Sequence, residues 1–438
     1  MKITQSSDTI TPFGGYNFCY ELFNEAGFPA LIDQHLGQRV KTYGFNYSDI
    51  FTNHMAVFLN GGDCTEDVNE HLRDYLKQVK GQKVCSADTI LRGIKELSTP
   101  STSHISQSGV THEFNLNPIL NKLLIKGLKK TKQLDTSTGY TLDYDNQVIA
   151  TNKYDAAKTY KKCNGYQSGV SSIGNYIVHI EGSNGNSPAK YQQKETLERS
   201  FASLENEGIK LAGFRADSAS YQKEVIDLVT EKQMLFYIRA VRCSSMEQKM
   251  GALSAESWKK IRLGTQEIEV SEIVDYKPFN EEKEYRLVVS RIKRKDKQTG
   301  LFTGTYYTYR AILTNNTTWD CEQIVSFYNQ RGESEKTFDV MNNDFGWSKL
   351  PFSFLHQNTA FMIITAIYAN FYSYMIGVFS EKLSWVESNF RLKKFIFRFI
   401  AVPAKWIKTG GQYLLNLYTT KDYRPLMVQQ GFQRVVFG

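Results

Sequence analysis

Between about residue 138 and residue 239, short runs of β-forming residues alternate with stretches of helical periodicity, and this alternation limits the chain to few folds. Two runs rich in β-branched and aromatic residues come first, TLDYDNQVIAT at 141–151 and NYIVHIE at 175–181. Helical stretches and short apolar runs then follow in turn, at 194–207, 209–215, 221–232 and 235–239. The order strand, strand, helix, strand, helix, strand predicts an α/β sheet with helices packed on it.

The segment 243–316 differs from this pattern and predicts a β-rich unit. It contains EYRLVVSRIKRK, the polar turn DKQTGLFTG and TYYTYRAILTNN, which together are typical of a long β-hairpin. Helical periodicity returns only at 320–341. We therefore predict an insertion at 243–316 that divides an α/β core into 131–242 and 317–381. An independent domain between two others is the alternative.

Residues 1–130 precede this core and are predicted to be helical. The run 46–59 has apolar residues at helical spacing and ends before a Gly-Gly pair. The sequence SADT at 86–89 is a capping sequence for an amphipathic helix. A helical region of this kind is suited to DNA binding or dimerisation, and equally to a plain helical bundle.

Two later regions bear on localisation and partners. The run 361–380 (FMIITAIYANFYSYMIGVFS) is long enough to span a membrane, but its Tyr, Ser and Asn residues favour a buried core helix. Region 382–438 carries ten Lys or Arg and two acids, a net charge of +8 that equals the charge of the whole chain. Such a region predicts contact with a polyanion, although a solubilising tail is the alternative.

The cysteines and the start of the chain indicate a cytoplasmic protein. The six cysteines are scattered without a C-x-x-C pair, which argues against structural zinc and against a disulfide framework. The first residues contain no apolar segment of the kind found in secretion signals. No Gly-rich phosphate loop follows any predicted strand, so a nucleotide coenzyme is not expected.

Acidic residues stand where the predicted strands end. Asp143 and Asp145 are two residues apart on one strand and share a face, and Asp217 ends another strand. Carboxylates at the ends of adjacent strands converge in an α/β sheet. Tyr328, Arg331 and Glu335 follow at offsets of three and four, which places them on one helix face, although an i, i+4 ion pair has the same spacing.

The segments LDYDN, FRADSASY and FYNQRGESEKTF resemble the three acidic motifs of bacterial insertion-sequence DDE transposases. Tyr328, Arg331 and Glu335 match that family's Tyr-x2-Arg-x3-Glu signature, and further similarity runs from about residue 11 to about residue 420. The resemblance implies an α/β RNase H-like catalytic core, interrupted by a β-rich insertion and preceded by an α-helical domain. It implies two Mg²⁺ ions per active site, or Mn²⁺ in their place, held by Asp145 or Asp143 together with Asp217 and Glu335.

Two positions depart from the family pattern. The signature continues with a Lys seven residues after the Glu, where this chain has Asn342. Lys336 or Lys349 is the candidate replacement. The first motif often reads Asp-x-Asp-x-Thr, and Gln147 stands in place of the Thr. The register still favours Asp145 over Asp143 as the first catalytic acid, and both remain candidates.

The predicted substrate is double-stranded DNA, both the terminal inverted repeats of a transposon and the target. Pairing of two transposon ends predicts a homodimer, and the expected location is the bacterial cytoplasm, at the nucleoid. Arg331 and Tyr328 are expected beside the scissile phosphate, and the remaining candidates are basic residues that contact the backbone. They are Lys336, Lys349, Arg291, Lys293, Arg294, Lys295, Arg391, Lys393, Lys394 and Arg398.

Two other functions fit the same residues. An RNase H-like metal-dependent nuclease would cut DNA without strand transfer. A catalytically decayed DNA-binding protein would bind DNA without cutting it, although the presence of all three acids argues against this.

Overall fold

The structure is a computed structural model that describes residues 1–4, 8–39, 44–280, 282–294 and 306–427. The helices are α1 (Tyr16–Glu25), α2 (Phe28–Leu36), α3 (Tyr47–Leu59), α4 (Arg73–Leu76), α5 (Ala87–Glu96), α6 (Pro118–Lys130), α7 (Gln193–Glu205), α8 (Lys223–Glu231), α9 (Ser244–Gly251), α10 (Cys321–Asn329), α11 (Glu333–Asp344), α12 (Leu355–Lys382), α13 (Leu392–Phe395) and α14 (Arg424–Met427). The strands are β1 (Thr102–Ile105), β2 (Thr111–Asn115), β3 (Gly139–Ala150), β4 (Ala157–Lys158), β5 (Asn164–Ile173), β6 (Tyr176–Ser183), β7 (Lys210–Ala216), β8 (Leu235–Arg239), β9 (Lys259–Leu263), β10 (Gln266–Tyr276), β11 (Tyr285–Arg294), β12 (Tyr306–Thr314), β13 (Ala404–Thr409) and β14 (Gln412–Leu417).

The predicted mixed α/β class is confirmed, because one large mixed sheet runs through the described part of the chain. Its strand order is β1-β2-β6-β5-β3-β7-β8-β12-β11-β10-β9, with β4 paired to β5. The strands β6, β5 and β3 are antiparallel, whereas β3, β7 and β8 are parallel. Parallel neighbours need a crossover connection, and the helices α7 and α8 occupy the connections before β7 and β8.

The strands of the segment 243–316 extend this sheet. β12 pairs with β8 in an antiparallel register, and β11, β10 and β9 follow outward from it. The predicted basic hairpin is therefore formed by β11 and β12. Its turn at 295–305 lies outside the described residues.

The predicted helical character of residues 1–130 is wrong for one part, since β1 and β2 form a hairpin there. The hairpin joins the large sheet where Phe114 pairs with Ser183 of β6. In the hydrophobic core, the helices of this region pack together with α12 and with residues of the sheet such as Ile149 and Ile180. The N-terminal helices thus share a core with the rest of the chain.

The long helix α12 lies at the centre of this core and contains the predicted helix at 361–380. It is long and apolar enough to cross a membrane, yet 72% of its most apolar window is buried within the protein. Asn370 is one of the polar residues within this apolar helix, and its side chain is hydrogen-bonded. It accepts from the N–H of Ile177 (3.2 Å) and donates to the carbonyl oxygen of the same residue (2.8 Å). This pair of bonds joins α12 to β6, and the prediction of a buried helix is confirmed.

Two other hydrophobic clusters complete the packing. One includes Leu142, Phe214 and Phe236 of the parallel strands, with Leu197 of α7 and Val225 of α8. The other lies on the opposite sheet face and joins residues of β8 to β12 with Ile324 and Val325 of α10. Helix α10 therefore covers the sheet face from which the odd-numbered residues of β3 and β7 project.

Candidate active site

The candidate site lies where two parallel strands end side by side. β3 carries Asp143 and Asp145, and β7 leads directly into Asp217. In the pairing of the two strands, Asp143 stands opposite Arg215. Because side chains alternate along a strand, the three acids and Arg215 project from one face of the sheet, as the sequence predicted for Asp143 and Asp145.

Asp143 forms a buried ion pair with Arg215. Nε and Nη2 of Arg215 donate to Oδ1 (2.6 Å) and Oδ2 (2.7 Å) of Asp143, and both side chains are less than 10% exposed. Such a bidentate pair is the strong form of a charge-assisted hydrogen bond. The remaining Nη1 of Arg215 donates to the carbonyl oxygen of Phe327, and its guanidinium lies 4.6 Å from the Phe327 ring. Asp143 is thereby linked through Arg215 to the end of α10.

Asp145 has a different environment. Its side chain is 21% exposed, its Oδ1 accepts from the N–H of Asn146 (2.9 Å), and its Oδ2 lies 2.8 Å from Nη2 of Arg331. Arg331 is part of the short turn Gln330–Gly332 that joins α10 to α11. Tyr328 precedes it by three residues and donates its hydroxyl to the carbonyl oxygen of Ala216, 3.2 Å away at the end of β7. These bonds dock the α10–α11 junction on the acidic end of the sheet.

Asp217 and Glu335 complete the acidic group. Asp217 is half-buried, and its Oδ1 accepts from the N–H of Ala219 (2.9 Å), which begins the turn after β7. Glu335 lies in the first turn of α11 and is exposed. It follows Arg331 by four residues, and its negative charge contributes to the raised pKa of Asp145, so Glu335 lies near that aspartate.

The electrostatics of Asp145 show that the acids act on one another. Its pKa is raised to about 6, chiefly by burial and also by the negative charges of Asp217 and Glu335, whereas Arg331 and the N–H of Asn146 oppose the shift. Burial likewise raises the pKa of Tyr328 to about 12, with Arg331 opposing and Asp217 and Asp145 contributing. A carboxylate whose ionisation is opposed by neighbouring carboxylates belongs to a site that favours the binding of cations.

The donor set suits a hard divalent ion, because carboxylate oxygens are the ligands that Mg²⁺ prefers. The three carboxylates do not all lie within 4.8 Å of one another, so holding one ion with all three requires side-chain rotation. Among the described residues, Asp63, Cys64 and Asp67 do meet that distance. They form a hydrogen-bonded turn in which Asp67 accepts from the N–H groups of the other two.

Several predicted DNA-contacting residues are engaged in ion pairs. Arg291 pairs with Glu269 (2.6 Å) and lies over the rings of Trp258 and Tyr307 at 3.9 and 4.2 Å. The others pair with acids on the surface: Arg391 with Asp339 and Asp344, Lys394 with Glu387, and Lys349 with Asp63. These side chains have structural partners, so binding a phosphate would compete with an existing ion pair.

The other candidates are exposed. Lys293, Lys336, Lys393 and Arg398 make no ion pair with any residue in the described ranges. Lys336 follows Glu335 directly, whereas Asn342 lies near the other end of α11. The side chain of Arg294 and the whole of Lys295 lie outside what the structure describes.

Arg215 is not among the residues predicted from the sequence. A signal was present, because Arg215 precedes Asp217 by two residues and therefore shares its strand face. Its partner depends on the register of β3 against β7, and the sequence does not contain that register.

Nearly the whole chain matches one protein family. The family model described as "Transposase DDE domain group 1" matches residues 1–434. Among solved structures, the chain is similar to that of the piggyBac transposase synaptic complex with hairpin DNA. The two are 12% identical, the match covers 87% of this chain and 78% of that one, and the TM-score is 0.41. No curated protein matches the sequence.

Proposed function

This chain belongs to the family of DDE transposases, metal-dependent enzymes of DNA transposition, and we propose that Asp145, Asp217 and Glu335 are its catalytic acids. The observation that carries the proposal is the arrangement of the acids. Asp145 on β3 and Asp217 after β7 lie at the ends of two paired parallel strands, and Arg331, four residues before Glu335, is held 2.8 Å from Asp145. Asp143 is assigned a positioning role, because both of its oxygens are bonded to Arg215. That pair supports the end of α10, from which Tyr328 and Arg331 reach the site.

The three acids would hold two Mg²⁺ ions, with Mn²⁺ as a substitute. Bound at both ends of an in-line displacement, such ions activate the attacking oxygen and stabilise the leaving oxygen. Arg331 neutralises Asp145 at 2.8 Å, and a guanidinium at that position is suited to bind a phosphate oxygen of the scissile strand. The hydroxyl of Tyr328 holds the end of β7 and fixes the position of Asp217.

The reaction has two steps. Water attacks the phosphorus at the transposon end, the bond between phosphorus and the 3′ oxygen breaks, and a 3′-OH is released. That 3′-OH then attacks a phosphodiester of the target and displaces its 3′ oxygen, which joins the two DNAs. Both steps pass through an in-line arrangement, so one set of acids serves both.

The five strands β6-β5-β3-β7-β8 support an RNase H-like catalytic core. Three antiparallel strands are followed by two strands parallel to the first, with α7 and α8 in the connections. We further propose that 243–316 is an insertion in this core, that residues 1–130 and 382–438 serve DNA binding or dimerisation, and that the enzyme is a homodimer acting at the bacterial nucleoid. Lys293, Lys336, Lys393 and Arg398 are the proposed backbone contacts, being exposed and basic.

The test is cleavage and joining of DNA that carries the ends flanking the gene, in Mg²⁺ or Mn²⁺. Asp217→Ala should abolish cleavage and leave end binding in place. The matched control is Glu231→Gln, an exposed acid at the end of α8, which should cleave like the wild type. Cleavage without joining would instead identify a nuclease, and binding without cleavage by the wild type would identify a decayed enzyme. Full activity of Asp217→Ala would refute the assignment of the site.

A further inference from the structure

A cleft opens between α10 and the outer strands of the sheet, beside the candidate active site. Its volume is about 180 Å³, and its walls come from β8 to β12 on one side and from α10 on the other. Apolar side chains form much of the lining, among them Leu263, Ile268, Ile292 and Val325. Of the described residues that line it, none is acidic. The cleft is therefore a partly apolar space inside the β-rich segment and its neighbours.

Two arginines project into this cleft from adjacent strands. Arg239 ends β8 opposite Ile312, and Arg310 lies two residues before Ile312 on β12, so both side chains share one sheet face. Both are exposed, and neither forms an ion pair with any residue that the structure describes. By contrast, Arg286 and Arg291 of β11 are paired with Glu272 and Glu269. Two unneutralised guanidinium groups on one wall predict an anionic ligand.

The cleft and the acids share one residue. Tyr328 lines the cleft, and its hydroxyl donates to the carbonyl oxygen of Ala216, the residue immediately before Asp217. The charges of Arg239, Asp217 and Asp145 all act on Tyr328. A ligand in the cleft would thus lie next to the reacting phosphodiester.

The size and chemistry of the cleft suit one DNA strand. Its volume of about 180 Å³ is smaller than the roughly 300–1,000 Å³ of sites that enclose a small ligand, so the cleft takes part of one strand at a time and excludes a duplex. Guanidinium groups bind phosphate oxygens in a bidentate manner, and apolar and aromatic walls accept the faces of bases. Both features are present here: the sheet wall carries the two arginines beside Leu263, Ile268 and Ile292, and α10 adds Val325 and the ring of Tyr328.

We propose that Arg239 and Arg310 form a phosphate-binding subsite that receives a single DNA strand next to the scissile bond. The inference rests on the proposed function, since it assigns a path to the strand that leaves the active site. It also gives the β-rich segment a role in binding substrate. The two arginines are binding residues in this assignment and take no part in the chemistry.

The experiment compares two probes on the full chain: a blunt duplex, and the same duplex with a single-stranded oligothymidine extension. Binding is measured by fluorescence anisotropy over a series of salt concentrations for Arg239→Ala, Arg310→Ala and the double variant. The matched control is Arg262→Ala. This exposed arginine lies on β9 between Ile261 and Leu263 and therefore projects from the opposite sheet face.

The double variant should bind the extended duplex about tenfold or more weakly than the wild type. The slope of log K against log salt should fall by about 0.7 for each phosphate that the variant no longer neutralises. Binding of the blunt duplex should change no more than in Arg262→Ala. Equal losses of affinity on both probes, or a loss no larger than that of the control, would overturn the subsite. Asp217→Ala separates this result from the proposed function, because it should lose cleavage and keep the preference for the extended probe.

Discussion

Asp143 and Asp145 lie two residues apart on one strand face, and replacing each by Asn should have opposite effects. Asp143→Asn should destabilise the protein, because it removes one partner of a buried ion pair. Weak cleavage should remain, because Asp143 is not a proposed ligand of the metal ions. Asp145→Asn should leave the protein at least as stable and abolish cleavage. The structural contrast is that Asp143 has both oxygens bonded to Arg215, whereas Asp145 faces Asp217 and Glu335.

The magnitudes follow from these surroundings. Removing one partner of a buried ion pair costs about 3–5 kcal/mol, and both side chains of this pair are less than 10% exposed. For Asp145, raising the pKa of a carboxyl from 3.8 to about 6 corresponds to at most about 3 kcal/mol of destabilisation at neutral pH, which an uncharged Asn relieves. This figure already includes the opposing attraction of Arg331, because the pKa of about 6 is the net result of burial and of the neighbouring charges. We therefore expect a difference of about 3 kcal/mol or more between the two variants.

The assay combines urea denaturation with DNA cleavage in Mn²⁺ at a temperature where all variants are folded. A control for Asp143→Asn is the double variant Asp143→Leu with Arg215→Met, which removes both charges. Replacing a buried ion pair by apolar side chains of similar volume is often neutral, so much of the stability should return. Residual cleavage should persist in this double variant, because neither residue is a proposed ligand.

Two results would refute this reasoning. An Asp143→Asn protein as stable as the wild type and inactive would make Asp143 the first catalytic acid. An Asp145→Asn protein that cleaves DNA normally would remove Asp145 from the site, whatever its stability.

Three further predictions concern stability and DNA binding. Burial lowers the pKa of His54 to about 3, so between about pH 3 and 6.5 the unfolded chain binds one more proton than the folded chain. Stability therefore decreases as the pH falls through that range, and the wild type should lose about 2 kcal/mol of unfolding free energy from pH 6.5 to 5 relative to His54→Phe. A Cβ at Gly182 would lie 2.0 Å from Oγ1 of Thr359, so Gly182→Ala should cost about 1–3 kcal/mol. Gly377→Ala, in open space near the C-terminal end of α12, should be neutral or stabilising, and equal melting temperatures of the two variants would contradict this. Lys393→Ala should reduce the slope of log K against log salt for duplex DNA by about 0.9, and an unchanged slope would exclude a phosphate contact there.

Local patterns predicted much of the fold around the candidate active site. The strands β3, β6, β7 and β8 and the helices α7 and α8 lie within a few residues of the predicted ranges, because each has a clear apolar periodicity. The strand β5 was not predicted, since NGYQSGVSSI is rich in Gly and Ser. Its glycines have a packing role: a Cβ at Gly169 would lie 2.4 Å from the hydroxyl of Tyr144, and one at Gly165 would lie 2.2 Å from the carbonyl oxygen of Ile149. Such close approach is a property of the neighbouring strand, which the local sequence does not contain.

By itself the sequence determined most of the elements between residues 139 and 239, the family, and the candidates Asp217, Tyr328, Arg331 and Glu335, because these depend on periodicity, spacing and motif. It favoured Asp145 over Asp143 only by the register of the motif, since residues two apart on a strand are equivalent in a local pattern. Only the tertiary structure distinguished them, by aligning β3 with β7 so that Arg215 meets Asp143 and by docking the α10–α11 junction so that Arg331 meets Asp145. Both ion pairs join segments distant in the chain, and their formation depends on sheet register and helix docking.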